Sequence, residues 1–268
     1  MGEAGDYTMV KTPTQPDAST DDTQPPMLYP AHRMALTAPL NWLRLGWQDF
    51  RRAPGLSLTY GGLFVLFGYL ISYLLISAES YVLLFSLVTG FVLVGPALAV
   101  GLYAVSCQLG DDKRPSLGHC LAESRRTIPN VAMFALVLFI VLLLWARAAS
   151  MVHVFFPMGP DTGLAEIATF LAIGSAVGSV FAAITFTVSA FSLPMIMHRD
   201  TDVITAVLTS INAVLKNKAA MALWAFLIVL CIGLGLATGL LGLAVTLPII
   251  GYATWHGYRQ TCLLYTSP

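Results

Sequence analysis

Histidine and cysteine are the side chains in this sequence that are best suited to metal or redox chemistry. The 268-residue chain contains His32, His119, His153, His198, His256, Cys107, Cys120, Cys231 and Cys262. Imidazole and thiolate groups are preferred ligands of zinc and copper, and Cys107, His119 and Cys120, with His198 or His256, are the candidate set. Their spacing matches no compact metal-binding motif. The sequence therefore predicts no metal site and no cofactor.

Sequence motifs of catalysis and nucleotide binding are missing. The chain has no Walker loop, no HExxH, no GxSxG and no dinucleotide-binding fingerprint. No ionisable side chain falls near the middle of a predicted membrane span, so the usual ion-coupling groups are missing as well. The formal net charge of zero gives no indication of nucleic-acid binding. We therefore predict that the protein is not an enzyme and has no nucleic-acid partner.

The composition indicates an integral membrane protein. Hydrophobic residues make up 57% of the chain, charged residues only 10%, and the mean hydropathy is +0.75. A soluble domain usually carries about 25% charged residues. Apolar segments of membrane-spanning length are predicted at about 56–76, 81–106, 131–150, 164–197, 219–237 and 238–258. The predicted fold is an all-α polytopic membrane protein, with six transmembrane helices arranged as three hairpins and with cytoplasmic interfacial helices.

Three basic segments set the predicted orientation. They are Phe50–Arg52, Ser124–Arg126 and Leu215–Lys218, and an apolar stretch follows each of them. With six spans, every Lys and Arg except Arg147 lies on the same side as both termini. Lys and Arg accumulate on the cytoplasmic side of membrane proteins. The prediction is a multi-pass protein of the cell inner (plasma) membrane with both termini in the cytoplasm.

The two ends of the chain differ from the membrane domain predicted at 31–258. Residues 1–30 are polar and contain five prolines, so they are predicted to form a disordered tail. The C-terminal end, 259–268, contains the run TCLLYTSP, which resembles translated sequencing-adapter read-through. Under that interpretation these last residues are artefactual and carry no functional information.

An amphipathic interfacial helix is predicted at 36–52. Its apolar stripe consists of Leu36, Leu40, Leu43, Trp47 and Phe50. In one interpretation this helix lies in the headgroup plane, with Trp42 and Trp47 at the interface. Arg44, Arg51 and Arg52 would then face anionic lipid. In the other interpretation the helix packs on the membrane domain from the cytoplasmic side, and the two arrangements are compatible.

Arg147 is the one cation that breaks the charge asymmetry. It lies about one turn before the outer end of the third predicted span, and Glu166 lies at the outer start of the fourth. Consecutive antiparallel helices are usually neighbours. An Arg147–Glu166 pair would reduce the desolvation cost of the arginine, whereas an unpaired arginine would extend to the interface. Both alternatives remain open.

The fourth predicted span is rich in small and hydroxyl-bearing residues. Small residues recur four apart at Gly174 and Gly178, and hydroxyl groups include those of Ser175 and Thr185. Small residues at this spacing allow close helix packing. Hydroxyl groups usually bond to their own helix or a neighbour, but they also line transport paths. Packing and a substrate path are therefore the two interpretations of this span.

Three motifs resemble a prokaryotic family of predicted integral membrane proteins of unknown function. They are WLRLGWQDF at 42–50, SLPM at 192–195, and LPIIGYATWH at 247–256. Members of that family are often labelled putative cytochrome c oxidase subunits. A haem–copper centre needs several histidines inside the bilayer, and none of the five histidines lies near mid-span. The resemblance implies a membrane protein without an established activity.

Two functions follow as expectations. The first is a structural or accessory protein that binds lipid or a membrane-protein partner, such as a respiratory complex. The alternative is a facilitative transporter or channel with a path along the Ser/Thr-rich fourth span. Water access distinguishes them, because a transport path must be wet at Ser175 and Thr185, whereas a scaffold keeps these positions dry.

Overall fold

The computed structural model describes residues 28–78, 81–156 and 163–263 of the chain. Within these ranges the chain is largely helical and contains no β-strand. The helices are α1 (Ala38–Arg52), α2 (Pro54–Ala78), α3 (Tyr81–Gly110), α4 (Leu117–Phe155), α5 (Leu164–Ser189), α6 (Ser192–Arg199), α7 (Val203–Lys216), α8 (Lys218–Ala237) and α9 (Leu243–Tyr258), followed by a π-helix at Arg259–Leu263. This architecture confirms the all-α prediction.

Four segments in the described part of the chain are long and apolar enough to cross a membrane. They are Pro54–Leu74, Leu117–Phe155, Leu164–Arg199 and Lys218–Ala237. Gly95–Gly110 and Val203–Lys216 are apolar but shorter. A helix needs roughly 20 apolar residues to cross the hydrocarbon core, and all four long segments meet that length. The protein is therefore polytopic and helical.

The second basic segment does not form a turn. Ser124–Arg126 lies inside α4, which runs without a break from Leu117 to Phe155. The Ser116 side chain caps this helix by accepting a hydrogen bond from the His119 amide at 3.3 Å. The helix continues without interruption past Arg126, and Pro129 is accommodated within it. The third predicted span, 131–150, is thus the later part of one continuous helix that begins at Leu117.

The predicted fourth span, 164–197, is divided into α5 and α6. The break falls at Ala190 and Phe191, where the helical bonding pattern is interrupted. Ser210 of α7 fills the gap: its hydroxyl accepts from the Phe191 amide at 3.1 Å and donates to the Thr187 carbonyl at 2.8 Å. Sequence periodicity could not reveal this break, because the residue that stabilises it is about twenty positions away.

The helix predicted at 238–258 begins later, at Leu243. Residues 238–242 form the turn after α8, and Gly239 adopts a positive φ of 67° there. A left-handed residue ends a helix, and glycine adopts that conformation without steric cost.

At the N-terminal side, the helix predicted at 36–52 begins at Ala38, where Pro39 occupies the first turn. Proline is favoured at that position because it needs no amide donor.

The buried core lies at one end of the bundle. Fully buried side chains concentrate where α2, α4 and α8 begin and where α3 and α9 end, and they include Val100, Phe134, Met221, Trp224 and Tyr252. The basic segments of the chain belong to the same region, so we call it the basic end. The helices α4 and α5 continue away from it with their apolar side chains largely exposed. Burial of apolar surface therefore fixes the fold mainly at the basic end.

Helix α9 occupies the centre of this core and contacts α1, α2, α3 and α8. A Cβ atom on Gly46 of α1 would lie 2.6 Å from the Ile249 carbonyl oxygen and 2.9 Å from the Ala253 nitrogen. A side chain at residue 46 would thus prevent the observed approach of the two backbones. Glycine at this position allows α1 to pack directly on α9.

Candidate functional site

A buried carboxyl group joins three helices at the basic end. Asp49, in the last turn of α1, is only 4% exposed. Its Oδ2 accepts a hydrogen bond from Ser106 Oγ of α3 at 2.5 Å. The same oxygen lies 2.7 Å from His256 Nε2 of α9. We call Asp49, Ser106 and His256 the polar cluster.

Three further polar contacts lie at the basic end. Ser57 Oγ donates to the Ala53 carbonyl at 2.7 Å and lies 2.8 Å from Tyr252 Oη. Trp42 Nε1 donates to Gln260 Oε1 at 2.6 Å. Buried polar groups are costly unless they are hydrogen-bonded. These contacts therefore hold the start of α2 on α9, and α1 on the π-helix that follows α9.

The polar cluster contains the residue types of a nucleophilic triad but lacks its connectivity. In such a triad the serine hydroxyl bonds to the imidazole, which removes its proton. Here Ser106 Oγ donates to the Asp49 carboxyl group instead. Ser106 itself is fully buried. The geometry is that of a structural connection between helices.

A small polar pocket of about 150 Å³ lies among α3, α4 and α6. It is lined by Ala104, Cys107, Gln108, Asp111, Lys113, His119, Glu123, Arg126, Met197 and His198. Arg126 is paired there with Glu123 at 2.7 Å and with Asp200 at 3.6 Å. The charges around this pocket are therefore largely compensated by their neighbours.

The candidate metal ligands are brought only partly together. Cys107, His119 and His198 line the polar pocket, whereas His256 is held by Asp49. Cys120 is buried and accepts a hydrogen bond from Gln108 Nε2 at 3.3 Å. Among the residues described, no group of three or more His, Cys, Asp or Glu side chains has an arrangement that could hold a metal ion.

The predicted interfacial residues divide between two faces of α1. Trp42 is 1% exposed and packs edge-on against Trp224, with ring centroids 5.7 Å apart. Trp47 is 46% exposed and stacks on Phe50. The side chains of Arg44, Arg51 and Arg52 are exposed. Packing of α1 on the membrane domain is thus present, and contact of the outer face with lipid stays a prediction.

Arg147 and Glu166 lie at different levels of the α4–α5 hairpin. His153 contacts Phe170 across it, with ring centroids 6.2 Å apart, and Trp145 shares a crevice with Gly178. This register places Arg147 level with about residue 176, so roughly 15 Å of helix axis separates it from Glu166. Glu166 instead accepts a hydrogen bond from the Gly163 amide at 3.2 Å. The structure therefore does not contain the expected pair.

The hydroxyl groups of α5 bond largely to their own helix. The donors Thr169, Ser179, Thr187 and Ser189 each reach the carbonyl four residues earlier, at distances of 2.6–2.8 Å. A hydroxyl bonded in this way needs no water molecule as a partner. This pattern agrees with the packing interpretation of the span.

Sequence reasoning missed Asp49 and Ser106. One signal was available for Asp49: Trp42, Gly46 and Asp49 recur at spacings of four and three, which places them on one helix face. That face is the one that packs on α9. The leucine stripe is the stronger pattern, and it predicts a different face of the helix as the apolar one. Ser106 had no comparable signal, because a single serine near a helix end is common.

A family model described as a predicted integral membrane protein (DUF2189) matches residues 83–198. The match covers α4, α5 and most of α3 and α6 and includes the SLPM motif at 192–195. It confirms the resemblance to a family of integral membrane proteins of unknown function. No curated protein and no solved structure matches the chain.

Proposed function

We propose that this protein is a structural or accessory protein of the inner membrane that binds lipid or a membrane-protein partner and has no catalytic role. In this proposal the chain crosses the membrane six times, as three hairpins, with both termini in the cytoplasm. The basic end faces the cytoplasm. The short helices α1, α6 and α7 pack there on the ends of the spans.

The observation that carries the proposal is the uneven burial of the apolar helices. In the segment Leu164–Arg199, the most hydropathic 18-residue window has no buried residue, although its mean hydropathy is 2.1. Its neighbour α4 has no buried residue after Ala135. Extended apolar surface on a protein marks contact with lipid or with another protein. The α4–α5 hairpin supplies such a surface, which suits an accessory role.

The alternative of a facilitative transporter receives less support. A transport path needs polar groups that are free to bind a substrate or water. Hydroxyl groups of α5 instead donate to the carbonyls of their own helix, as those of Thr169, Ser179, Thr187 and Ser189 do. The crevice between α4 and α5 is lined mainly by apolar side chains such as Leu138, Phe181 and Ala182. These features favour a dry, lipid-facing helix over a hydrophilic pathway.

Cysteine labelling from each side of the membrane tests the proposed topology. Asp112→Cys and Lys216→Cys are expected to react only from the cytoplasm, and Leu241→Cys only from outside. All three positions are exposed, whereas Asn217 is unsuitable because its side chain is buried and bonds to the His32 carbonyl at 2.8 Å. Labelling of Lys216→Cys and Leu241→Cys from the same face would contradict the six-span arrangement.

Water access and purification from native membranes test the functional part. Ser175→Cys and Thr185→Cys are expected to resist water-soluble thiol reagents, and rapid reaction at both would favour the transporter. Pull-down of the tagged full-length protein in mild detergent is expected to recover a membrane-protein partner or tightly bound lipid. Recovery of neither would contradict the accessory role.

A further inference from the structure

An apolar groove separates α5 from α8 beside α7. Its volume is about 720 Å³, and it runs from Ser189 and Lys218 at the basic end to Ser179 and Val229. We infer that this groove binds one anionic phospholipid of the cytoplasmic leaflet. The inference rests on the proposed membrane orientation and specifies the ligand of the proposed function.

The length of the groove matches one leaflet of a bilayer. On α8 it extends from Lys218 to Val229, and a helix rises 1.5 Å per residue, so it is roughly 16 Å long. The hydrocarbon core of a bilayer is about 30 Å thick. One leaflet is therefore about as deep as the groove is long. An acyl chain that lies along the groove reaches from the headgroup level to the middle of the membrane.

The walls of the groove suit hydrocarbon. Met221, Ala225 and Ile228 of α8 face Ala182 and Phe186 of α5 across it. Two of the polar side chains in the lining already have hydrogen-bond partners, because Thr187 and Ser189 donate to carbonyls of their own helix at 2.6 Å. Apolar side chains and self-bonded hydroxyls offer little to a polar substrate. An acyl chain removes this surface from water or from poorly packed lipid.

The mouth of the groove is positively charged. Lys218 lines the mouth, and Lys216 is two residues away in the sequence, separated from Lys218 by Asn217. Both lysines are exposed, and neither belongs to an ion pair in the described ranges. Asn217 itself is buried and donates to the Ala213 carbonyl at 3.0 Å, which fixes the backbone between them. Basic pockets between helices at the cytoplasmic surface bind anionic headgroups.

Lipid binding to the full-length protein in detergent tests the inference. The probes are dioleoyl phosphatidylglycerol and dioleoyl phosphatidylcholine, which have the same acyl chains and differ in headgroup charge. Bound lipid is counted by native mass spectrometry. The expected result is one retained phosphatidylglycerol, with a preference over phosphatidylcholine of at least about tenfold. About fivefold for each of the two lysines would give about 25-fold in total, so tenfold is a lower bound.

Two kinds of variant separate the headgroup contact from the groove. Replacing both Lys216 and Lys218 with Gln is expected to remove most of the preference, whereas the same change at Lys113 and Arg114 is not. Ala225→Phe fills the groove and is expected to abolish binding of both lipids. Ala172→Phe, at an exposed position of α5 outside the groove, is the matched control. If Ala225→Phe does not fold, Ala222→Leu fills the same space with a smaller change.

Several results would overturn the inference. Equal binding of the two lipids by the wild-type protein is one, and unchanged phosphatidylglycerol binding by a folded groove-filling variant is another. The wild-type protein could instead form a dimer that retains no lipid and that Ala225→Phe dissociates. The groove would then be occupied by a second copy of the chain. If the protein retains no phosphatidylglycerol but Lys216→Cys is labelled from the cytoplasm, the inference fails and the proposed function stands. External labelling of that position would instead remove the orientation on which both depend.

Discussion

His256 Nε2 lies 2.7 Å from Asp49 Oδ2 and thereby connects the last long helix of the bundle to the first. The contact spans more than two hundred positions of sequence, and both residues belong to the family-like motifs at the two ends of the chain. Ser106 Oγ adds α3 to the same carboxyl group. One buried side chain therefore connects three helices.

Replacing Asp49 with Ala is expected to destabilise the protein strongly. It leaves the Ser106 hydroxyl and the His256 imidazole without their shared acceptor in a buried place. Leaving a buried polar group without its hydrogen-bond partner typically costs about 1–3 kcal/mol for each group. Unfolding of the purified protein in detergent, followed by intrinsic tryptophan fluorescence, measures the change. Asp111→Ala, which removes an exposed carboxylate, is the control and is expected to have little effect.

A double-mutant cycle tests the contact itself. Asp49→Ala combined with His256→Ala is expected to cost less than the sum of the single changes, with a coupling energy of about 0.5–3 kcal/mol. Purely additive losses would mean that the two residues do not interact, and the polar cluster would then have to be abandoned as a connection between helices.

Adjacent glycines of α2 provide a test of the close contact with α9. A Cβ atom on Gly61 would collide with the Ala244 carbonyl oxygen, whereas one on Gly62 would meet no atom within 4 Å. Gly61→Ala is therefore expected to lower the stability by about 1–3 kcal/mol. Gly62→Ala is the matched control and is expected to be neutral or slightly stabilising, because alanine favours a helix over glycine.

Thermal unfolding of the two variants in one lipid or detergent gives the comparison. A similar loss in both variants would indicate a general intolerance of α2 to larger residues, and an absence of loss in both would contradict the observed approach of α2 to α9.

The sequence was most informative where the structural signal was local. The all-helical fold followed from the length of the apolar segments. The long-range features could not be predicted in this way. The break between α5 and α6 depends on Ser210, and the burial of Trp42 depends on Trp224 and Phe191. Each of these features depends on which helices pack together in space, and a short stretch of sequence does not contain that information.

The candidate sites show the same limit. Residue type alone suggested His256 only as a member of the candidate metal-ligand set. Its partner Asp49 lies on α1, and only the antiparallel packing of α1 on α9 brings them together. Arg147 and Glu166 show the complementary limit: the two residues are close in sequence, but the register of the α4–α5 hairpin separates them in the structure.

Asp202 gives a prediction for the dependence of stability on pH. Its carboxylate caps α7 by accepting a hydrogen bond from the Thr205 amide at 2.9 Å, and this bond lowers the pKa of Asp202. Because the pKa is lowered on folding, the carboxylate contributes stability above the ordinary aspartate pKa of about 3.9. The contribution is lost as the pH falls through the lowered pKa.

Asp202→Ala is expected to cost about 1 kcal/mol at neutral pH. Asp202→Asn keeps a capping oxygen without a titrating group, so the stability difference between it and the wild type should decrease in acid. Denaturant unfolding of the three proteins between neutral and acidic pH checks both statements. A difference between Asn and Asp that does not change with pH would show that the cap does not titrate.

The separation of Arg147 from Glu166 leads to the last prediction. The hairpin register places them roughly 15 Å apart along the helix axis, and Glu166 caps its own helix through the Gly163 amide. Changes at well-separated sites add to within about 0.3–0.5 kcal/mol. Arg147→Ala and Glu166→Ala are therefore expected to change the stability additively in lipid. A coupling well above that limit would show that the hairpin adopts another register in the membrane, with the arginine and the glutamate in contact.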